Sequence, residues 1–417
     1  MDDKLWQKLY DNVSPVSKTP TIVGFNVNLD RIMSVTPALL SSAFFNQPAL
    51  SELRSRLDHS MRTCTAEEWF VTDPQMYQQF TCIFSDSGHL TIGGQAGIAA
   101  VHLASIGISE VLCIADSPGP VTIKILEDAG VHLLDLNKGY RDSSDTIHLI
   151  FEYTRGLVPV DDGVIPRNNR FIVSPLHSPE SFLLTGNKKD EFRSRISRYP
   201  RAFISGYQYL QTDEEFRSAA DQCLLMKKNN HRMRIHVECV SVTADTVIRG
   251  FFNHILPVVD SIGLNEHELI LLLECLDSPV VKQEFFEKKM SPLQQVKGAL
   301  EICSKSGLKR LHLHTFGYYV LVIRNDCAHP ETSLNALLFA SQTVARAALG
   351  THTEISPFGL FAINDVAESF GPPISPGIFQ IATHTIVMIP TIIVKDISKS
   401  TGLGDILSSS AFVADLF

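Results

Sequence analysis

The sequence ends in a short segment whose residue types could bind a phosphate group and take up a proton. An apolar, β-branched run at 389–395 predicts a strand, and Gly402-Leu403-Gly404-Asp405 follows it, with apolar residues at helical spacing beyond. We therefore expect a turn that opens a helix, where unpaired backbone N–H groups attract anions. The glycines would let the backbone approach a phosphate, and Asp405, the next residue in the chain, would be placed to act as a base. An ordinary turn with a helix cap is the alternative.

Polar side chains follow the first predicted strand, at 21–25. Asn26, Asn28 and Asp30 alternate with period two, so an extended backbone would point all three to the same side. In an open α/β sheet, ligands bind at the carboxyl ends of the strands. Amide and carboxylate groups together supply the donors and acceptors that sugar hydroxyls need. The pattern predicts a sugar site, and a capped turn is the alternative.

A glycine-rich segment, Gly93-Gly94-Gln95-Ala96-Gly97, predicts the start of a closely packed helix. Its spacing is not the Gly-x-Gly-x-x-Gly of dinucleotide-binding folds, and no acidic residue follows where a ribose contact would be expected. We therefore exclude a dinucleotide fold at this position. Close approach of the backbone to a small polar ligand is the better interpretation.

Two acidic motifs could organise a divalent cation. In His236-x-Glu238 the two side chains share one face at the end of a predicted strand. In Asn265-x-x-Glu268 a spacing of three places both side chains on one helix face. Hydrated Mg²⁺ beside phosphates is held by a few oxygen ligands of this kind. Helix N-caps have the same composition, and that alternative stays open.

Two further segments carry charged candidates. Glu67 and Glu68 lie within residues 33–89, which we interpret as an insertion after the first strand. Arg167 and Arg170 are candidates for binding a substrate phosphate, because arginine pairs with phosphate through two parallel hydrogen bonds. A solvated helix face for the glutamates and surface positions for the arginines are the alternatives.

These segments must be positioned by alternating strands and helices. From residue 201 onward, apolar strands and helices alternate in the doubly wound pattern, which predicts an α/β fold around a mostly parallel sheet. An alternating segment at 146–153 predicts an antiparallel strand with one wet face. With residues 33–89 it could form a smaller sheet that covers the main one. The Ala-rich helix predicted at 334–350 could wall a nucleotide base, and core packing explains it equally well.

Size and composition limit the class of protein. The chain has 417 residues and a formal charge of -9, without a dense block of Lys or Arg, which argues against nucleic-acid or membrane-surface binding. Its eight cysteines are scattered and form no Cys-x-x-Cys pair, so we expect free thiols in a reducing cytoplasm rather than zinc ligands or disulfides. The acidic amino terminus has no apolar signal core. We expect a cytoplasmic protein, either a monomer or a small homo-oligomer.

Taken together, the motifs occur in the order found in one family. The chain resembles the ADP-dependent sugar kinases, the glucokinase and 6-phosphofructokinase group of the ribokinase-like superfamily, over residues 21–417. The motifs that carry the resemblance are Asn28-x-Asp30, Gly93-Gly-Gln-Ala-Gly-Ile98, Asn169-Arg-Phe-Ile172, Ser205-Gly-x-Gln208, His236-x-Glu238, Gly263-Leu-Asn-Glu-x-Glu268, His314-Thr-Phe-Gly-Tyr-Tyr319 and Gly402-Leu-Gly-Asp405. Their joint order is more specific than any one of them, because each motif has its own structural alternative.

The resemblance implies a fold and a reaction. The expected fold is a ribokinase-like three-layer α/β domain with a central, mostly parallel sheet, plus a small α+β lid domain. We assign residues 1–32, 90–140 and 177–417 to the large domain and residues 33–89 and 141–176 to the discontinuous lid. The expected reaction transfers the β-phosphoryl group of ADP to a hydroxyl of fructose 6-phosphate or glucose. It leaves AMP and uses Mg²⁺ or another divalent cation.

Carried over position by position, the resemblance also implies roles for the candidate residues. Asp405 resembles the catalytic base, and the amides of Gly402 and Gly404 resemble the anion site for the transferring phosphoryl group. Asn265 and Leu403 are expected on the nucleotide side. The expected metal set, acting largely through water, is Glu238, Glu268 and Asp405. The expected substrate-binding residues are Asn28, Asp30, Glu68, Gly94, Gln95, Arg167 and Arg170.

Substrate choice and phosphoryl donor stay open at this level. In this family, a glutamate upstream of the Gly-Gly motif binds glucose. Glu68 aligns best with it, one residue from Glu67, and favours a glucokinase or a bifunctional enzyme, whereas Arg167 and Arg170 keep a fructose 6-phosphate site open. An ATP-dependent ribokinase-like kinase is one alternative, because Gly-x-Gly-Asp serves both branches. A non-catalytic sugar- or nucleotide-binding descendant is the other, and the acids retained at 238, 268 and 405 argue against it.

Overall fold

The computed structural model describes residues 3–14, 16–41, 47–65, 67–135, 144–156, 164–184, 188–239, 245–282, 290–395 and 401–417 of the chain. Within these ranges the strands form a ten-stranded sheet, a five-stranded sheet and a two-stranded sheet. We call the first the large sheet and the second the small sheet. No helix in the described ranges combines the length and apolarity needed to cross a bilayer.

Strands and helices alternate along most of the chain. The strands are β1 (Thr21–Gly24), β2 (Asn28–Ser34), β3 (Glu67–Val71), β4 (His89–Gly93), β5 (Val111–Ala115), β6 (His132–Asp135), β7 (Ile147–Tyr153), β8 (Asn169–Pro175), β9 (Arg201–Ile204), β10 (Arg234–Glu238), β11 (Ser261–Leu264), β12 (Arg310–His314), β13 (Tyr318–Arg324), β14 (Thr351–Ile355), β15 (Ile378–Gln380), β16 (His384–Pro390) and β17 (Ile392–Lys395). The helices are α1 (Asp3–Asp11), α2 (Pro37–Ser41), α3 (Ser51–Thr63), α4 (Pro74–Ile83), α5 (Gln95–Ser105), α6 (Pro120–Asp128), α7 (Lys188–Ile196), α8 (Asp213–Asn229), α9 (Asp245–Gly250), α10 (Glu266–Cys275), α11 (Pro279–Lys282), α12 (Pro292–Ser306), α13 (Pro330–Ala347), α14 (Pro357–Phe370) and α15 (Leu403–Ala414).

The large sheet has the strand order β15-β16-β13-β12-β11-β10-β9-β1-β5-β6. The strands from β12 to β6 pair in parallel, and β13, β16 and β15 add antiparallel partners at one edge. A parallel strand that is covered on both faces is apolar along its length, and β1 and β5 are buried at every position. The prediction of an α/β fold around a mostly parallel sheet is confirmed.

Helices cover both faces of the large sheet. On β12, His312 points to α15, where the hydroxyl of Ser408 lies 3.4 Å from its Nδ1. The flanking Leu311 and Leu313 therefore point to the opposite face. Helix α15 also packs against α13 and α5, whereas α12 contacts α10 and α14. The large sheet is thus the middle layer of three.

The small sheet has the order β3-β8-β7-β2-β4. Its pairs β7–β8 and β2–β4 are antiparallel, and β2–β7 and β3–β8 are parallel. Helices α3 and α4 cover one face and enclose a separate core that includes Trp69, Phe80 and Phe151. Strand β2 begins at Asn28 and β4 ends at Gly93, so the sheet includes residues on both sides of the boundaries predicted at 32 and 90. The division into two domains stays a prediction.

The strand predicted at 389–395 is divided in the structure. Strand β16 ends at Pro390 in the large sheet, and β17 begins at Ile392 and pairs with β14 in the two-stranded sheet. Proline has no N–H group to donate to a ladder, so the chain leaves the large sheet at this residue. Helix α15 then begins after Gly402, as the apolar spacing predicted.

Candidate active site

The candidate residues meet in a cleft of about 370 Å³ between the large sheet and the small sheet. The predicted site residues that line it are Asn28, Asp30, Glu68, Gly94, Gln95, Arg170, Glu238, Asn265, Glu268, Gly402, Leu403, Gly404 and Asp405. Arg167 is not among them, because its side chain is exposed and donates to the backbone oxygen of Cys64 at 3.4 Å. We therefore remove Arg167 from the candidate substrate-binding set.

Strand alternation explains why the small sheet presents polar groups to the cleft. On β7, His148 and Ile150 line the cleft, whereas Leu149 and Phe151 lie in the core beneath α3 and α4. On β8, Arg170 lines the cleft in the same way. Successive side chains of a strand point to opposite faces. One face of the small sheet therefore builds its core, and the other builds the wall of the cleft.

The same alternation decides between Glu67 and Glu68. Glu68 lines the cleft, where it accepts a hydrogen bond of 2.6 Å from Ser174. Glu67 lies on the other face of β3 and pairs with Arg56 at 3.3 Å. Burial raises the pKa of the Glu68 carboxyl, and the hydrogen bond from Ser174 and the charge of Arg170 partly offset this increase. Of the two glutamates, Glu68 is the one placed to contact a ligand.

Asn28 and Asp30 lie side by side on β2 and face the cleft. Asn28 Nδ2 donates to Asp30 Oδ1 at 2.8 Å, and Asn28 Oδ1 is buried without a hydrogen-bond partner among the described residues. A Cβ atom at Gly93 would lie 2.1 Å from Asp30 Oδ1 and 2.5 Å from Asn28 Nδ2, so a side chain there would displace both. Burial raises the pKa of Asp30 to about 7, the bond from Asn28 lowers it, and the charge of Glu68 raises it further. The pair offers acceptors to ligand hydroxyl groups.

The turn before α15 presents backbone N–H groups to the cleft. Gly402 has a φ of 75°, a conformation that favours glycine, and a Cβ there would lie 2.8 Å from Ile98 Cδ1. Gly402, Leu403 and Gly404 all line the cleft at the positive end of the helix dipole. The arrangement suits an anionic group of a ligand.

Asp405 lies in the first turn of α15 and is oriented by amide side chains. Burial raises its pKa to about 7, the charge of Glu238 raises it further, and a hydrogen bond from Gln95 lowers it. The Oε1 atom of Gln95 accepts from Gln208 Nε2 at 3.4 Å, which leaves the Gln95 amide NH₂ group for Asp405. A carboxylate whose pKa is near neutrality is suited to take a proton from a bound hydroxyl group.

Glu238 is the end of a buried hydrogen-bond chain. Arg310 Nη1 donates to Ser261 Oγ at 3.0 Å, and Ser261 Oγ lies 2.7 Å from His236 Nδ1. His236 Nε2 lies 2.6 Å from Glu238 Oε1, and Ser408 also donates to this oxygen. The ionised Glu238 carboxylate can only accept, so the imidazole proton lies on Nε2 and faces it. His236 Nδ1 is then left to accept from Ser261, whose oxygen accepts from Arg310. Burial raises the pKa of Glu238, but the bonds from His236 and Ser408 outweigh it and hold the pKa below its usual range.

Asn265 and Glu268 form a capping box at the start of α10. The Asn265 side chain accepts from the Glu268 backbone N–H at 3.0 Å, and Glu268 Oε2 accepts from the Asn265 backbone N–H at 2.8 Å. The helix-cap interpretation of this motif is therefore correct. Both side chains also line the cleft, so the cap leaves the motif available to a ligand.

The acidic residues fit a hydrated divalent cation. Glu238, Glu268 and Asp405 line the same cleft. Across the described part of the chain, however, no group of three or more His, Cys, Asp or Glu side chains is arranged to hold a metal ion directly. Mg²⁺ at phosphate sites keeps several waters and uses only one or two carboxylates. The three carboxyl groups therefore suit a cation that they contact through water molecules, as the resemblance implies.

Arg170 brings positive charge into an acidic cleft. Burial raises the pKa of Asp30, Glu68 and Asp405, and the charge of Arg170 counteracts it in all three. The Nε atom of Arg170 is buried and finds no hydrogen-bond partner among the residues that the structure describes. This guanidinium is therefore able to bind an anionic oxygen.

A second pocket, of about 460 Å³, adjoins the cleft and is mainly apolar. His314, Leu403 and Gly404 line both spaces, so the start of α15 lies at their junction. Ser341, Val344 and Ala345 of α13 line the pocket, as does Ala348, which caps the end of this helix, and all four lie within the predicted Ala-rich helix. An apolar pocket beside an anion site has the composition of a nucleotide site.

Several polar residues of the cleft received no role from the sequence. His148 lines the cleft. The sequence pattern that could have identified it is the alternation at 146–153, which places His148 on the polar face of β7. Gln208 and His314 belong to motifs that carried the resemblance, but no ligand was assigned to them. Tyr209 ends a single 3₁₀ turn, and its place in the cleft depends on the surrounding fold.

Comparison with known proteins adds an independent observation. Residues 20–414 match the family profile described as the ADP-specific phosphofructokinase/glucokinase conserved region. The chain is 27% identical to the ADP-dependent glucose/glucosamine kinase of Pyrococcus furiosus, over 98% of each chain. It is 25% identical to the ADP-specific phosphofructokinase of the same organism, over 87% of this chain and 86% of that protein.

Solved structures share the fold. An ADP-dependent kinase in complex with fructose-6-phosphate and ADPβS matches with a TM-score of 0.82 and 22% identity, over 99% of this chain and 98% of that one. A phosphofructokinase from Pyrococcus horikoshii OT3 with AMP matches with a TM-score of 0.76 and 21% identity, over 96% of this chain and 98% of that one. At these identities the likeness establishes the three-dimensional arrangement of the chain.

Proposed function

Because the chain belongs to the ADP-specific phosphofructokinase and glucokinase family, we propose that its cleft transfers the β-phosphoryl group of ADP to a sugar hydroxyl and releases AMP. The observation that carries the proposal is the position of Leu403 and Gly404, which line both the polar cleft and the apolar pocket. A phosphate group at this junction would connect a nucleotide on one side to a sugar on the other. The family assignment favours ADP over ATP as the donor.

The nucleotide occupies the apolar pocket in this proposal. Its base packs among the small and apolar side chains of α13 and β17, such as Ala345 and Ile393. Its phosphates lie at the N-terminus of α15, where backbone N–H groups and the helix dipole stabilise negative charge. Arg170, with its unpaired Nε, approaches the transferring group from the small sheet. Phosphoryl transfer depends mainly on such positioning and charge neutralisation.

The sugar occupies the polar cleft. Asn28 and Asp30 accept hydrogen bonds from its hydroxyl groups, and Gly94 and Gln95 border the same space. Asp405 takes the proton of the attacking hydroxyl, for which a pKa of about 7 is well matched to neutral pH. The polar cleft and the apolar pocket meet at Gly404, one residue before this base.

A divalent cation, with Mg²⁺ as the first choice, completes the site. Glu238 and Glu268 would hold it through water, and it would neutralise charge on the phosphates. The chain's own contribution is the orientation of these acids: His236 keeps Glu238 ionised, and Asn265 fixes Glu268 through the capping box.

The acidic character of the cleft favours an unphosphorylated hexose such as glucose or glucosamine. Asp30, Glu68 and Asp405 all line the cleft, and Glu68 is placed to accept a sugar hydroxyl. Fructose 6-phosphate is the second candidate, and in that case the unpaired Nε of Arg170 would bind the sugar phosphate instead of the transferring group. All eight cysteines are free thiols, which fits the reducing cytoplasm in which we place the reaction. A monomeric or small oligomeric state stays a prediction.

One matrix of assays tests the proposal. ADP and ATP are each combined with glucose, glucosamine and fructose 6-phosphate in the presence of Mg²⁺, and AMP and sugar phosphate are measured. We expect AMP from ADP with a hexose, and loss of about three orders of magnitude in kcat for Asp405→Asn. Exclusive use of ATP, or full turnover by Asp405→Asn, would contradict the proposal.

A further inference from the structure

The small sheet carries a series of polar side chains behind Glu68 that the proposed reaction does not use. Ser174 Oγ lies 2.6 Å from Glu68 Oε1 and 3.1 Å from His148 Nδ1. His148 Nε2 lies 3.1 Å from His177 Nε2. Ser174 and His148 are buried, with 0% and 5% of their surfaces exposed, so water does not compete for the bond between them. Two members of the series line the cleft: Glu68, at one end, and His148.

The donors and acceptors fix the direction of these hydrogen bonds. Ser174 Oγ donates to Glu68 Oε1, and when Glu68 is ionised this carboxylate can only accept, so the single hydroxyl proton of Ser174 points to it. Ser174 Oγ must then accept from His148 Nδ1–H, which leaves His148 Nε2 to accept from His177 Nε2–H. Burial lowers the pKa of His148 well below its usual range and that of His177 to about 4, so at neutral pH each ring carries one proton. The chain of donors runs from His177 to Glu68.

The outer end of the series is held by aromatic rings. The His177 ring lies 4.5 Å from that of Tyr209 and 5.9 Å from that of Phe182, centroid to centroid. Tyr209 follows β9 of the large sheet and lines the cleft itself. His177 is therefore held from the side of the large sheet while it donates to His148 of the small sheet.

We propose that Ser174 and His177 are positioning residues for sugar recognition. Ser174 contacts Glu68 directly, and His177 acts through His148 and Ser174, so that the Glu68 carboxyl group is held directed into the cleft as the acceptor of a sugar hydroxyl. The proposal rests on the proposed sugar-kinase function and deepens it. Each hydrogen bond of the series orients the donor of the next one. Removal of the donor at Ser174 or at His177 should therefore free the Glu68 carboxyl group to the same extent.

Steady-state kinetics test the links. Ser174→Ala removes the donor to Glu68, and His177→Phe keeps an aromatic ring against Tyr209 but removes the N–H donor. We expect each change to raise the sugar KM by about 3- to 10-fold, with kcat and the ADP KM within about twofold of wild type. The double variant should match Ser174→Ala alone, because the chain is already interrupted. His177→Gln, whose amide supplies a donor, should recover most of the affinity.

A matched control separates this role from general destabilisation. Ser60 is a fully buried serine beneath the small sheet, and its hydroxyl lies 3.0 Å from Tyr153, away from the series. Ser60→Ala should leave the sugar KM unchanged, even if it lowers Tm. Additive effects of Ser174→Ala and His177→Phe, or equal changes in the sugar and ADP KM values, would overturn the proposal.

Histidine tautomers give a readout that does not depend on turnover. In ¹⁵N-histidine-labelled protein at pH 8, we expect His148 to carry its proton on Nδ1 and His177 on Nε2, with resonances assigned from His177→Phe. A His148 proton on Nε2 would contradict the series even in a fully active enzyme. If no sugar were phosphorylated, the proposed function would fail, while the tautomers would still decide whether the series exists.

Discussion

The hydroxyl group of Thr401 donates a hydrogen bond of 3.0 Å to Glu152 Oε1 on β7. Thr401 immediately precedes the turn that carries Asp405, and Glu152 lies on the same face of β7 as His148. The bond therefore joins the turn before α15 to the small sheet, and both line the cleft. We regard it as a direct physical connection between the two sides of the cleft.

Removal of this bond should slow the reaction more than it destabilises the fold. Thr401→Val keeps the branched shape and removes the hydroxyl group. We expect kcat to fall by about 5- to 10-fold, because the turn is no longer held in place relative to the small sheet. Glu152→Gln retains an acceptor oxygen and should show a smaller effect. Unchanged kcat in Thr401→Val would mean that the bond does not position the turn.

The carboxyl group of Asp405 should reduce the stability of the ligand-free protein. Burial raises its folded-state pKa to about 7, above the usual value of about 3.9. The folded state therefore binds this proton more tightly than the unfolded state, so the wild type loses stability as pH rises from about 4 to about 7. Asp405→Asn does not titrate.

The direction of this pH dependence gives a specific expectation for Asp405→Asn. The variant should be inactive but should unfold at a higher Tm than wild type at pH 8, and the difference should shrink towards pH 4. Thermal unfolding of both proteins at pH 4.5, 6 and 8 makes the comparison. A Tm difference that stays constant across this range would show that the Asp405 pKa is not raised.

Arg170 should be essential in its geometry as well as its charge. Arg170→Lys keeps a positive charge but loses the planar fork of donors, and we expect kcat to fall by about two orders of magnitude. Arg167→Lys is the matched control, because Arg167 lies three residues earlier in the chain and is exposed outside the cleft. Its kcat and KM should equal those of wild type. Equal losses in the two variants would contradict the assignment.

A methyl group at Gly93 should disturb the sugar side of the site selectively. In Gly93→Ala the Cβ atom would lie 2.1 Å from Asp30 Oδ1, so Asp30 and Asn28 must move. We expect the sugar KM to rise by at least about tenfold, while ADP affinity, measured by calorimetry, stays within about twofold. Loss of ADP affinity without a change in the sugar KM would place the two ligands differently from our proposal.

Glu238 should govern the metal requirement. Glu238→Gln removes the charge but keeps the shape of the side chain, and we expect the Mg²⁺ concentration for half-maximal activity to rise by about 10- to 100-fold. Excess chelator should abolish wild-type turnover, and added Mg²⁺ should restore it. An unchanged Mg²⁺ titration in Glu238→Gln would remove Glu238 from the metal set.

Local patterns in the sequence were sufficient for much of the fold and the site. The turn at Gly402, the helix start after Gly94 and the period-two alternation of β7 are set by residues adjacent in the chain. Such features depend on local backbone geometry and side-chain spacing, which sequence displays directly. Thirteen predicted site residues accordingly line one cleft in the structure.

Other features were decided by tertiary structure. Glu67 and Glu68 are equivalent in type and adjacent, and the pairing of β3 with β8 determined which one faces the cleft. Arg167 and Arg170 look alike in sequence, but Arg170 lies within β8 and Arg167 just before it. The bond between Thr401 and Glu152 joins residues 249 positions apart. In the series from His177 to Glu68, the bond between Ser174 and Glu68 joins residues 106 positions apart.

The sequence by itself therefore determined the order of the elements, the candidate residues and the family of the chain. The tertiary structure decided which face each side chain occupies and which distant groups it meets. The physical reason is that a strand presents its side chains to two opposite faces, and only its pairing and the layer packed against each face determine which one becomes core and which becomes cleft.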